Sequence, residues 1–160
     1  MDKYFEPINR LYLSQPFAER GNEGELDRCL HIAEAYALAE NAIVSMGDFV
    51  RNCSYCFFGG LADLLGLSDE ERCPTIPSLY EEFIFSRANQ DDLMLRHAHE
   101  LAYIHLTEKM TPDERRNYIL SDNLRMRDKD GVWRSVRHRM LSLEGTSDGC
   151  YWLNMCMRCN

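Results

Sequence analysis

The chain carries two cysteine pairs of the same spacing, Cys53-x-x-Cys56 and Cys156-x-x-Cys159. Brought together, such pairs would offer four thiolates to a tetrahedral zinc ion. His97, His99 and His105 form a second set. On a helix, His97 and His105 fall about 80° apart, on a stripe shared with Leu93, Met94, Leu101 and Ile104. Imidazoles so placed could ligate a metal or move a proton. The third set is basic. Between Leu124 and Leu141, Arg125, Arg127, Lys129, Arg134, Arg137 and Arg139 stand against only Asp128 and Asp130. Guanidinium groups suit carboxylates and phosphates through their two-pronged donor geometry.

Composition weighs on each set. The formal charge of the whole chain is -8, which opposes a stand-alone nucleic-acid binder, because such affinity rests on neutralising phosphates. The ribbon's arginines therefore read as cross-strand and surface partners for the acidic excess of the N-terminal region: Glu19, Glu23, Glu25, Asp27, Glu34 and Glu40. The sharper alternative is that Arg125, Arg134 or His138 points inward and holds an anion. There are seven cysteines, an odd number, which reads as reduced thiols used as small apolar side chains. The cysteine pairs sit in segments that read as strands. Residues three apart on a strand point to opposite faces, which argues against zinc. The N-terminus lacks a basic start and apolar stretch, and no apolar run approaches the ~18 residues of a membrane span, so the expected location is cytoplasmic. No phosphate-cradling glycine loop, nucleophile elbow or zinc-protease motif is present, so the chain is not expected to be an enzyme.

With 160 residues and a hydrophobic fraction of 45%, the chain suffices for one domain with a real core. Residues 1–23 read as an arm that packs on the body. A helix is predicted over Glu25–Asn41, from Leu26, Leu30, Ala33 and Ala37 at helical spacing. Ala42–Asp48 and Cys53–Phe58 read as strands. Leu61–Leu65 is a short helix closed by Gly66, residues 68–77 a loop, and Ser78–Phe85 a second short helix. Asn89 caps a long helix from Asp91 to Met110. Thr111-Pro112-Asp113-Glu114 is a capping box. Three strands follow, Tyr118–Arg127, Val132–Leu143 and Cys150–Cys159, the first two joined by an Asp-Gly hairpin signal at Asp130-Gly131.

Two strands, a helical crossover and a three-strand meander form an order that resembles the PAS sensor domain over about residues 41–159. Three stretches carry the resemblance. "CSYCFFGGLADLLGLS" (53–68) is similar to the second strand and first helix. "ANQDDLMLRHA" (88–98) sits where PAS chains often show His-Pro-Asp-Asp, of which only Asp91-Asp92 is kept. "LRMRDKDGVWRSVRHRMLSL" (124–143) resembles the hairpin. With the arm and first helix added, the chain resembles the sensory half of bacterial LuxR-type helix-turn-helix regulators. The sequence ends at Cys159-Asn160, before any DNA-binding domain. The expectation is thus a sensor fragment or a single-domain sensor that makes no nucleic-acid contact itself.

The resemblance implies an α+β fold: a five-stranded antiparallel sheet with a helical crossover, over 41–160, and an N-terminal arm and flanking helix over 1–40. It implies a non-catalytic sensory or dimerisation domain of a transcriptional regulator, with a small organic ligand and no cofactor. The expected pocket is lined by Phe58, Leu64, Phe83, Leu101, Tyr118, Met126 and Met155, with His97 and Arg125 as polar anchors. The first helix is expected to mediate a homodimer. It is expected to cover the face bearing Cys150, Trp152, Asn154 and Cys156, so that Tyr151, Leu153, Met155 and Met157 face the pocket, an assignment that could be reversed. Two alternatives remain: a ligand-free association module, favoured by a filled core, and a haem or metal sensor. Some PAS domains hold haem through a histidine on the long helix, which makes His97 or His105 the candidate ligand.

Overall fold

The computed structural model describes all residues, Met1–Asn160. In chain order the elements are α1 (Glu6–Leu13), α2 (Glu23–Ala39), β1 (Ile43–Asp48), β2 (Cys53–Phe58), α3 (Gly60–Leu64) and β3 (Thr75–Ile76). Then come α4 (Glu82–Phe85), α5 (Gln90–Thr107), α6 (Pro112–Arg115), β4 (Leu120–Arg127), β5 (Trp133–Gly145) and β6 (Tyr151–Cys159). All strands join one antiparallel sheet in the order β3-β2-β1-β6-β5-β4. The first strand of the predicted sheet thus lies between the second and the last, the arrangement that the PAS resemblance implies.

The sheet has six strands, not five. The extra strand, β3, pairs with β2 through Ser54↔Ile76 and Tyr55↔Thr75. Two residues between Pro74 and Pro77 are too short to show a period-two pattern, which hid β3 inside a predicted loop. The arm also contains a helix, α1, whose Phe5, Ile8 and Tyr12 are buried. Asn22 caps α2 and Asn89 caps α5, each accepting from two backbone amides. Thr111 and Glu114 form the expected capping box. Gly131, in the β4–β5 turn, has a φ of +80°, which favours glycine.

The two sheet faces carry different helices. α2 lies on the outer face and buries Cys29, Ala33 and Ala37 against Val44, Met46, Leu153, Met155 and Met157. α1, α4 and α5 cover the inner face. The assignment of the last strand is therefore the reversed one: Asn154, Cys156 and Arg158 point inward, while Leu153, Met155 and Met157 lie under α2. An irregular register between Ser142, Glu144 and Gly145 lets Trp152 and Leu153 both join the outer cluster, and Tyr151 the inner one.

Two apolar clusters hold the inner layer. One gathers Ile43, Leu61, Leu65, Ile84, Phe85, Leu124, Met126 and Val136; the other gathers Phe5, Ile8, Tyr12, Phe49, Ile104 and Tyr151. Between them the interior is polar.

Candidate functional site

Strand alternation sets out the polar interior in rows. One row across the sheet is Cys56–Ser45–Cys156–Met140, the next Phe58–Ile43–Arg158–His138, and the third Ser54–Gly47–Asn154–Ser142. Above them α5 presents Arg96, His97 and Glu100 at the helical spacing that keeps them on one face. The loop ahead of α4 supplies Glu81, and α1 supplies Tyr12 from the third side.

Two ion pairs organise this region. Arg158 and Glu81, both buried, meet through two prongs: Nη1 donates to Oε1 at 2.9 Å and Nη2 to Oε2 at 2.5 Å. Nη1 also donates to the Ser45 hydroxyl at 3.1 Å. Burial opposes the charge on Glu81, but the facing guanidinium outweighs it and holds the carboxyl below its ordinary range. Arg96 and Glu100 form the second pair within α5. Tyr12 closes the network: its hydroxyl donates to Glu100 Oε1 at 3.2 Å and accepts from Asn154 Nδ2 at 3.0 Å. Its ring stacks on Phe49 with centroids 3.9 Å apart.

These groups enclose a cavity of about 30 Å³, lined by Tyr12, Ser45, Ser54, Glu81, Arg96, Glu100 and Asn154 together with apolar side chains. That is room for roughly two water-sized molecules. Arg96 Nε and Asn154 Oδ1 are buried without a hydrogen-bond partner, as are Arg158 Nε, Ser142 Oγ and both ring nitrogens of His138. Buried polar atoms are ordinarily paired, so this concentration marks a place suited to a polar occupant. The four charges balance, two guanidinium against two carboxylate. The interior therefore suits a neutral or zwitterionic molecule better than a bare ion.

The expected pocket residues fall elsewhere. Phe58, Leu64, Phe83 and Met126 pack together in the apolar cluster beside α3 and α4. Leu101 packs with the α1 cluster. Tyr118 is exposed at the entry to β4. Met155 is on the outer face beneath α2. Arg125 points outward and pairs with Asp92 at 2.8 Å; Arg134 pairs with Asp128 at 2.8 Å. Of the proposed inward cations only His138 turns to the interior. None of the nine named residues lines the cavity.

His97 borders it. Its ring sits between Phe5 and Phe85, with Nδ1 3.2 Å from Arg96 Nη1 and Nε2 3.3 Å from Asp2 Oδ2. Burial, then the Arg96 charge, push its pKa down to about 4 against the pull of Asp2. The residue is buried, and its Nε2 makes no hydrogen bond. His105 is exposed near Glu108. Cys56 and Cys156 lie on either side of Ser45, two strand spacings apart (about 10 Å). Burial raises both thiols, Cys156 to about 12. No group of three or more His, Cys, Asp or Glu is placed to hold a metal ion.

The residues that build the interior, Tyr12, Glu81, Arg96, Glu100, Asn154 and Arg158, were legible only in part. Arg96 and Glu100 stand four apart on the stripe of Leu93, His97 and Ile104, which signals a buried pair. Arg158 stands two residues beyond Cys156 in an apolar strand. Nothing local marks Glu81 or Tyr12.

No helix is long and apolar enough to cross a membrane. No protein-family model matches the chain, and no curated protein matches it. Among solved structures it is similar to a sensory box histidine kinase/response regulator from Burkholderia thailandensis E264, with 14% identity, 81% of each chain covered and a TM-score of 0.49. The PAS-like arrangement of this chain rests on its own strand order, β2-β1-β6-β5-β4, with helices over the inner face.

Proposed function

We propose that this chain is a non-catalytic PAS-type sensory module whose signal is a small, polar, neutral or zwitterionic molecule held between the sheet and α5. The carrying observation is the unpaired Arg96 Nε and Asn154 Oδ1 at a cavity whose charged lining is Arg96, Glu100 and Glu81, with Glu81 neutralised by Arg158 outside the lining. The absence of catalysis is supported by the same groups: both carboxylates are held by arginines, and the inward thiols are kept protonated by burial. In the fuller reading the module serves a LuxR-type transcriptional regulator in the cytoplasm.

A ligand larger than two waters must take space from Tyr12 and Phe5 of the arm, both of which wall the cavity. Sensing would then proceed by displacing α1. The test is thermal denaturation and calorimetric titration with urea, glycine, imidazole and acetate, on the wild type and on Asn154→Leu. Saturable binding of a neutral or zwitterionic compound, lost in Asn154→Leu, supports the reading. Binding by none of them, or binding indifferent to Asn154, overturns it. Native mass spectrometry of the freshly purified protein adds the mass of any retained ligand.

A further inference from the structure

Three arginines are buried: Arg96, Arg115 and Arg158. Two of them meet a glutamate, Arg96 with Glu100 and Arg158 with Glu81. Arg115 meets no carboxylate within ion-pair distance. A buried cation is costly unless it is paired and hydrogen-bonded. Arg115 is held along one edge only. Its Nε donates to the Thr107 carbonyl and its Nη2 to that of Glu108, each at 3.1 Å, so the guanidinium closes the C-terminal end of α5. It lies over the Tyr151 ring, 3.9 Å from the centroid. The remaining nitrogen, Nη1, is enclosed with both its N–H donors and has no partner.

Arg115 also lines a groove of about 230 Å³, where α1 meets the end of α5 and the β5–β6 turn. The groove is separate from the chamber described above; Tyr12 is the one residue that borders both. Leu11, Ile104 and Tyr151 give it apolar walls, and Glu108 and Asp148 add two carboxylates. Asp148 is engaged with the arm and its own turn, accepting from Ala18 N at 3.3 Å and from the Thr146 hydroxyl. The Glu108 carboxylate pairs only with His105, 4.0 Å away. A bare anion drawn to Nη1 would be repelled by both acids, and a bare cation by Arg115. A molecule carrying a carboxylate and a cationic end satisfies all three groups. At about 30 Å³ for each water-sized group, the groove takes roughly eight non-hydrogen atoms, the scale of a single amino acid.

We infer that this groove is a binding site for a basic amino acid, with its carboxylate on Arg115 Nη1, its aliphatic stem on Leu11 and Ile104, and its cationic end at Glu108. The inference does not rest on the ligand reading above, which concerns the chamber at Glu81 and Asn154.

The test is calorimetric titration of the full chain with L-lysine, hexanoate and hexylamine at millimolar concentrations. The wild type is expected to bind lysine saturably, hexanoate more weakly and hexylamine not at all. Glu108→Gln should weaken lysine about threefold and leave hexanoate unchanged, since it removes one partly exposed charge pair. Arg115→Met should weaken both carboxylates at least tenfold, the scale of a hydrogen bond to a charged group. That variant also loses its hold on α5, so Leu11→Trp, which fills the groove from α1 and keeps the guanidinium, provides the second reading; it should abolish lysine binding while thermal melts show an intact fold. Asn154→Leu, in the chamber, should bind lysine as the wild type does. No saturable lysine binding, binding that survives Leu11→Trp, or hexylamine bound as tightly as lysine each overturns the inference. So does lysine binding lost in Asn154→Leu and kept in Leu11→Trp, which would assign the ligand to the chamber instead.

Discussion

Arg158 and Glu81 lie 77 residues apart in sequence and meet through both guanidinium prongs beneath the sheet. The pair ties the last strand to the loop ahead of α4. Removing one partner leaves an unpaired buried charge. Arg158→Met alone is expected to destabilise by about 3–5 kcal/mol, whereas Arg158→Met with Glu81→Leu should recover much of the loss. Chemical denaturation of the single and double variants decides this; a double variant no better than the single would show that the pair is not the unit.

Acid should loosen the interior through its histidines. Burial, reinforced by Arg96, puts His97 at a pKa of about 4, and burial with Arg96 and Arg158 puts His138 well below its ordinary value. Between about pH 6.5 and 4 the unfolded chain binds protons that the folded one refuses. Stability is thus fully present above pH 6.5 and falls as the pH drops, by up to about 3 kcal/mol for His97 alone. Urea midpoints at pH 7, 6 and 5 should decline. His138→Leu, which replaces a ring with no hydrogen-bond partner, should flatten the decline.

Tyr12 is the latch of the arm. Tyr12→Phe keeps the stack on Phe49 and loses the contacts to Glu100 and Asn154, at a cost of about 1–3 kcal/mol. Because α1 is short, the loss should appear locally, as faster amide exchange over residues 5–13 and earlier tryptic cleavage at Arg10. Unchanged exchange would mean that the ring alone holds the arm.

Thiol chemistry should separate the cysteines. Cys73 is exposed, while Cys29 is raised to about 11 and Cys156 to about 12 by burial. In native protein at pH 8, Ellman's reagent should modify Cys73 quickly, with Cys29, Cys56 and Cys156 reacting only on unfolding. Rapid modification of more than four of the seven thiols would contradict this.

The sequence was most informative where a local pattern and its chemical cause coincide. Asn89 and Thr111 marked helix starts because their side chains replace missing backbone partners, and Asp130-Gly131 marked the hairpin because glycine tolerates its φ. The alternation of β6 showed that two faces exist, but not which one faces α2. Apolar Met155 and Met157 could serve either layer, and the bulge near Ser142 shifts the phase midway. The polar interior was least legible. It is assembled from Tyr12, Glu81, Glu100 and Arg158, whose proximity is set only by the docking of an arm, a loop, a helix and a strand. An apolar pocket was expected because large apolar side chains are conspicuous in sequence; the structure spends them on the two flanking clusters.

The chain between α1 and α2 joins opposite faces of the sheet. Residues 14–22 pass the β5–β6 turn, where Gln15 and Tyr151 exchange two hydrogen bonds and Glu19 accepts from Ser147 N. Gly21, with a φ of +78°, crosses directly over Trp152, where an added Cβ would lie 2.4 Å from the indole. The segment is thus a strap of nine residues, drawn tight around the rim. One end holds the plug of the interior and the other holds α2. Any displacement of the plug must slacken or pull the strap, so the fold already contains a mechanical link from the buried chamber to the helix on the opposite face.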